Sequence, residues 1–200
     1  MARRSDHSRE EIKEMALNAA LTILEEEGAK KLSARKVASA IGYTVGTLYL
    51  VFKNQQEMVL HLNALTLDDI NEWLESRSAH CTTPRDCLQT LAEAYIDYAL
   101  ERGARWNLLF DTVVAENEEL PGWYLMRLGR LFGRVERMLA PLKDEHEAIE
   151  IERAARVLWA SVHGICTLKI RHRMDLAGNQ TTGEMAQMLI DNFLKGFAQQ

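Results

Sequence analysis

The chain has 200 residues, 24 Lys and Arg against 29 Asp and Glu, and a net charge of −5. Its 47% hydrophobic content, three prolines and eleven glycines fit one or two largely helical domains with a substantial core. No apolar run approaches the ~20 residues of a membrane span, and the charged N-terminal residues lack the apolar centre of a signal peptide. Cys81, Cys87 and Cys166 are an odd, sparse set, which fits a reducing cytoplasm better than a disulfide framework. The charge is uneven. Residues 1–54 hold nine basic and seven acidic side chains, a net of +2, and the remaining residues hold 15 and 22, a net of −7. A local positive face matters more for phosphate contact than the global sum.

The first element has a legible start, because Ser8-Arg-Glu-Glu11 has capping-box spacing. Ile12, Met15, Ala16, Ala19, Ile23 and Leu24 then recur at three- and four-residue steps until Gly28 stops the helix. Glu25 to Glu27 lie at its negative dipole end, a local cost with no partner visible in the sequence. A short helix with Val37, Ala38 and Ile41, a turn at Gly42 and a second short helix with Val45, Leu48 and Phe52 follow. Helices this short need a scaffold, and Ile12, Ala16, Ala19, Ile23, Val37, Ile41, Leu48 and Phe52 are expected to bury together as one head.

Asn54-x-x-Glu57 predicts the cap of a fourth helix running to about residue 77, with Met58, Leu62, Leu65, Ile70 and Trp73 as its apolar positions. After a polar interval from Ser76 to Thr83, Thr83-Pro84 opens a helix that ends near Gly103. A short element from Trp106 to Val114, an acidic loop from Glu116 to Glu119, and a helix from Pro121 to Leu139 come next. Two long helices are expected at 145–172 and 182–198, separated by a loop from Asp175 to Gln180, and Thr181-x-x-Glu184 again has capping-box spacing. The sum is an all-α chain of about nine helices, divided into residues 1–54 and residues 55–200.

Residues 33 to 53 are a helix, a glycine turn and a second helix whose exposed face offers hydroxyls, a phenol and a cation, a set suited to nucleic acid. The stretch resembles the helix-turn-helix of the tetracycline-repressor (TetR) family of bacterial transcription regulators. The carrying residues are Leu32 to Ala38, Gly42-Tyr43-Thr44, Gly46-Thr47-Leu48-Tyr49 and Phe52-Lys53-Asn54. The close resemblance covers residues 8 to 60, and the remainder agrees in length and helical pattern. It implies a DNA-binding head, joined through the fourth helix to a regulatory and dimerisation body. It also implies DNA contact by residues aligned with Ala34, Arg35, Val45, Gly46, Thr47, Tyr49, Val51 and Lys53.

On chemistry, Lys53 suits a phosphate as a point charge. Tyr49, Thr47, Thr44 and Ser33 offer hydroxyls to phosphate oxygens, the last two as helix caps as well. Arg35 is suited to a guanine edge, and Tyr43 and Val45 to a thymine methyl. Arg3 and Arg4 either reach a neighbouring phosphate or form a basic tail. Dimerisation is expected because one short recognition helix reads too few bases, whereas two related by a two-fold axis read a palindrome.

Trp159-Ala-Ser-Val-His163-Gly164 resembles a subgroup of the family's C-terminal regulatory domains. His163 is either a ligand contact or a satisfied core histidine beside Trp159. Trp106, Phe110, Trp123, Met126 and His163 are the candidates for lining a largely apolar effector pocket, although a helical-bundle core has the same composition. Leu158, Val162, Ile165, Met188, Leu189, Phe193 and Phe197 on the last two helices are candidates for a four-helix dimer interface, or for intramolecular core.

No catalytic residue is assigned, because no phosphate-binding glycine loop, His-Glu-x-x-His or nucleophile elbow is present. No metal or cofactor is expected. His163-x-x-Cys166 and the group His80, Cys81 and Cys87 both fall short of the about four ligands that zinc wants. The reading is a cytoplasmic homodimeric repressor, released from a palindromic DNA operator by a small, apolar effector, with no membrane partner. A DNA-bound structural or division-linked factor without a ligand switch, and a metal-binding helical module, are the rivals.

Overall fold

Residues 7–113, 119–142, 148–174, 178 and 180–198 are described by a computed structural model. These residues hold nine α-helices and no strand. Arg3, Arg4, the acidic stretch 116–118 and residues 175–177 and 179 of the expected last loop lie outside the described residues. The chain divides into two compact units, Met1–Thr66 with Ala104–Glu116, and Leu67–Gly103 with Asn117–Gln200.

The first unit begins with α1 (Arg9–Glu27). Ser8 Oγ accepts the Glu11 N–H at 3.2 Å, and the Glu11 carboxylate accepts the Ser8 N–H at 2.6 Å. Two first-turn donors are thereby satisfied, and these bonds to Ser8 hold the Glu11 carboxyl below its usual range. At the other end, two of the three acidic residues that looked unfavourable along α1 have partners distant in sequence. Glu25 Oε1 accepts from Arg105 Nε at 2.6 Å, and Glu27 pairs with Lys36.

Helix α2 (Ala34–Ala40) is capped by Ser33 Oγ, which accepts the Lys36 N–H at 3.3 Å. It ends in a Schellman turn: Tyr43 N–H donates to Ala38 O at 2.9 Å and Gly42 N–H to Ser39 O at 3.2 Å. Gly42 takes φ +74°, a conformation L side chains rarely adopt. Helix α3 (Val45–Leu48) is one turn long, prolonged by Leu50 N–H to Thr47 O and Val51 N–H to Leu48 O bonds. Ala16, Ala20, Ile23, Leu32, Val37, Leu48, Phe52, Met58 and Leu62 form the buried core of this unit. Ala20 takes the place expected of Ala19, which is only half-buried, and Ile41 packs at the core's edge.

Helix α4 (Gln55–Ser78) is continuous from the first unit into the second. Asn54 Oδ1 caps it by accepting the Glu57 N–H at 2.8 Å. Its buried stripe carries Met58, Leu62, Leu67 and Ile70, but also Asn63, Thr66 and Asn71, which are 1%, 0% and 6% exposed. Thr66 Oγ1 donates back to Leu62 O at 3.1 Å and Asn71 Nδ2 to Leu67 O at 2.9 Å, while Asn63 Nδ2 donates to Thr112 Oγ1 at 3.0 Å. Asn63 Oδ1 and Asn71 Oδ1 have no partner among the described residues. Helix α6 (Gly103–Asp111) belongs, from Ala104 onward, to the first unit.

The second unit packs α5 (Pro84–Glu101), α7 (Gly122–Leu139), α8 (Ala148–Ile170) and α9 (Thr182–Ala198) against one another. The C-terminal part of α4 joins them through Trp73 Nε1 to Ala94 O at 2.8 Å and Tyr98 Oη to Asp69 Oδ2 at 2.9 Å. Arg85 and Asp191 tie α5 to α9 in a bidentate pair of 2.6 and 2.9 Å. One expectation is corrected here. Cys81 and Cys87 form a disulfide that links the segment after α4 to the first turn of α5, whereas Cys166 is free and buried. A separation of six positions is too short a spacing to signal the pairing in a sequence with so few cysteines.

Candidate nucleic-acid interface and apolar cavity

The head displays its polar groups where its core leaves them outside. Leu48 and Phe52 are each 1% exposed, so a one-turn helix anchored by them must present Thr44, Gly46 and Tyr49 outward. Thr44 Oγ1 accepts the Thr47 N–H at 3.2 Å and lies 3.1 Å from Thr47 Oγ1, so capping also orients both hydroxyls. Arg35 is exposed on the first turn of α2, and Lys53 is exposed beyond α3. Neither side chain has an ion-pair partner among the described residues. The backbone N–H of Lys53 is bound by the Glu57 carboxylate.

Ser33 and Thr47 are half-exposed, and Val45 packs on the edge of the core, which limits how far it reaches outward. Tyr43 is half-buried, and its hydroxyl is 2.8 Å from His7 Nδ1, tying the turn to the residues before α1. Leu50 was not among the sequence candidates, yet at 63% exposed it is the most open large apolar side chain among the described residues of the head. Its spacing after Leu48 and before Phe52 was the available signal, since neighbours of two anchors point away from the core.

The second unit holds a half-open apolar cavity of ≈ 60 Å³. Leu74 of α4, Leu88, Leu91, Ala92 and Tyr95 of α5, Leu131, Arg134 and Val135 of α7, Leu158, Trp159 and Val162 of α8 and Ile190 of α9 line it. None of the five residues expected to line a pocket lines this cavity. Trp106 and Phe110 belong to α6 in the first unit, with ring centroids 4.7 Å apart. Trp123 packs on Tyr124 and beneath the Arg127 guanidinium, and Met126 is 61% exposed.

His163 stands one layer behind the cavity wall. Its Nδ1 shares a 2.9 Å hydrogen bond with Tyr95 Oη, and its ring lies 5.1 Å from that of Trp159. Burial pulls its imidazole below the ordinary value. Burial likewise pushes the Cys166 thiol up to about 12, which makes it an unreactive core group. Among the described residues no group of three or more His, Cys, Asp and Glu is placed to hold a metal ion, and no helix is long and apolar enough to cross a membrane.

Of the residues expected at a dimer interface, Leu158, Val162 and Ile165 are buried within the protomer, the first two on the cavity wall. Met188 is 67% exposed, Leu189, Phe193 and Phe197 are half-buried, and Phe193 stacks on Phe197 at 5.7 Å. The exposed stripe of α8 runs instead through Val157, Ala160, Gly164 and Leu168.

Comparison with known proteins follows this division. The sequence profile of bacterial regulatory proteins of the tetR family matches residues 16–62, and that of the tetracyclin repressor-like C-terminal domain matches residues 88–193. A comparison with curated proteins returns no match. Among solved structures, a Rhodococcus sp. RHA1 protein of unknown function is similar at a TM-score of 0.75 and 20% identity, covering 98% of each chain. FadR from Bacillus subtilis, solved in complex with stearoyl-CoA, is similar at 0.68 and 15% identity over 92% of this chain and 98% of its own. The transcriptional repressor FadR from Thermus thermophilus, solved with lauroyl-CoA, is similar at 0.68 and 15% identity over 92% and 94%.

Proposed function

We propose that this chain, which belongs to the TetR family of bacterial transcription regulators, is a homodimeric repressor whose two heads bind a palindromic operator and are released by a small, largely apolar effector. The observation that carries the DNA reading is the outward display of Arg35, Thr44, Thr47, Tyr49 and Lys53 on a head whose core residues Val37, Leu48 and Phe52 are at most 1% exposed. Lys53, Tyr49, Thr47, Thr44 and Ser33 address phosphates, and Arg35 addresses a base edge. Tyr43 and Val45, with Leu50 beside them, supply apolar contact to thymine methyls.

The second copy docks on the α8 and α9 face formed by Val157, Gly164, Leu168 and Met188, with Leu189, Phe193 and Phe197 at its edge. Its open large apolar groups and the small residues between them suit close helix packing across a two-fold axis. The cavity of the second unit receives the effector. Ligands of the two FadR structures, acyl-CoA molecules with long apolar chains, support an apolar occupant in this fold.

Release requires an effector that binds one arrangement of the dimer better than the other. The cavity wall includes Leu74 of α4, the helix that begins directly after Lys53 and Asn54. An effector that displaces Leu74 therefore bears on the element leading into the head.

Selection of bound fragments from random DNA by the full-length protein tests the function. Enrichment of a two-fold symmetric site, bound as one dimer in sedimentation velocity, is expected. Failure to enrich any sequence would overturn the operator reading, and a monomer on a single half-site would overturn the dimer.

A further inference from the structure

The cavity wall is largely apolar and carries one charged group. Arg134 of α7 lines it with its side chain 14% exposed. Its Nε is buried and has no hydrogen-bond partner among the described residues. Its Nη2 donates to Asn71 O and to Glu75 Oε2 at 3.4 Å each, beyond the usual range for an N–H···O bond. Glu75 is itself 75% exposed, so water competes for that contact. Arg127, two turns earlier on α7, is by contrast well engaged, with Nε to Asp68 Oδ2 at 2.7 Å and Nη1 to Trp123 O at 2.8 Å.

A guanidinium does not shed its proton at neutral pH. A buried cationic donor left unmade carries a desolvation cost that an anion on the same side would relieve. The hydroxyl of Tyr95, which also lines the wall, is already bonded to His163. Given the reading of this cavity as the effector site, we propose that its occupant is an amphipathic carboxylate. The anion accepts from Nε and Nη2 of Arg134 in the planar fork geometry that guanidinium offers. The chain or ring lies among Leu88, Leu91, Leu158 and Val162.

Size adds a second constraint. The cavity measures ≈ 60 Å³, while a cavity of about 150 Å³ is what accepts benzene. The tail of such a ligand therefore enters by displacing wall side chains from α4, α5 and α8, while the carboxylate fixes its position at α7. Charge recognition and wall displacement are thereby assigned to opposite ends of one molecule. A coenzyme A thioester has the chain but no free carboxylate, which separates it from the proposed ligand.

Isothermal titration of the full-length protein with octanoate, 1-octanol and octanoyl-CoA tests this, using the unaltered chain, Arg134→Met and Glu75→Gln. Octanoate should bind the unaltered protein about tenfold or more tightly than octanol, the scale of a buried charge-assisted hydrogen bond. Arg134→Met should abolish that preference and leave octanol binding unchanged. Glu75→Gln, which removes the exposed competitor for Arg134, should strengthen octanoate and not octanol. Equal octanoate and octanol affinities, a preference that survives Arg134→Met, or octanoyl-CoA binding more tightly than octanoate would each overturn the carboxylate assignment while leaving an apolar effector site in place. Binding of none of the three probes would overturn both. If Arg134→Met loses its cooperative thermal transition, Glu75→Gln decides alone, and no gain for octanoate overturns the assignment.

Discussion

Gly42→Ala isolates the backbone contribution of the turn that sets α2 against α3. Gly42 sits at φ +74°, and a Cβ built there meets no heavy atom within 4 Å, so the substitution introduces strain without a clash. An L residue in the left-handed region costs about 1–2 kcal/mol. Alanine also restricts the unfolded chain, which returns about 0.4–1 kcal/mol. The net loss should therefore be near 1 kcal/mol, a fall of about 2–4 °C in midpoint for a chain of this size. Gly42→Asn should lose less, because asparagine tolerates this region. Gly42→Val should lose more, because a β-branched side chain tolerates it least. Urea unfolding followed by far-UV circular dichroism at one protein concentration measures all three. A loss above about 3 kcal/mol for alanine would mean that sterics, not backbone conformation, govern the site. A gain in stability would mean that the turn does not hold Gly42 in the left-handed region.

Lys53→Ala should weaken binding to all DNA sequences and lower the salt slope by about one, whereas Arg35→Ala should relax preference at one base position by about 1–3 kcal/mol. Salt titrations and a repeat of the random-DNA selection read these two effects, and an unchanged slope or an unchanged site would remove the residue from the interface. Cys81→Ser should lower stability by about 2 kcal/mol, the chain-entropy value for so short a loop. Added reductant should have the same effect on the unaltered protein and none on the variant, and identical melts with and without reductant would contradict the disulfide. His163 has its folded pKa lowered below 6.5 by burial, so the unfolded chain takes up the proton first. Its contribution to stability is therefore level above 6.5 and declines as pH falls through that value. His163→Gln should flatten stability between pH 7 and 5, and a slope that persists in full would assign it to other groups.

What was legible in the sequence is local. Ser8 with Glu11, Asn54 with Glu57 and Thr181 with Glu184 each place a helix start by bonds that span three residues, and Thr83-Pro84 marks the start of α5. The head was readable for a similar reason, since its packing follows from apolar positions on three short, consecutive helices. The relief of Glu25 and Glu27 was not readable from α1, because their partners stand 80 and 9 positions away. The cavity was hidden more deeply. Its wall takes a stripe from each of five helices, and which stripe faces inward depends on crossing angles that periodicity does not contain. The aromatic and methionine residues named from the sequence lie mainly on α6 and the start of α7, outside this wall. Arg134 carried no mark separating it from the other arginines of α7.

The polar stripe of α4 carries a consequence for motion. A buried helix face filled by leucine resists sliding, because every displacement opens a void. Thr66 and Asn71 replace such packing with bonds to the preceding turn of α4 and Asn63 with a bond to the Thr112 hydroxyl, and two of their amide oxygens have no partner among the described residues. Each unmade acceptor costs about 1–3 kcal/mol in the arrangement seen, a cost that an alternative arrangement bringing in water would recover. The middle of α4 should therefore open on its own, below the free energy of global unfolding. Its amides from Asn63 to Asn71 should exchange with deuterium faster than those of the apolar interior of α5, and equal protection would show that the helix is as stiff as its neighbours.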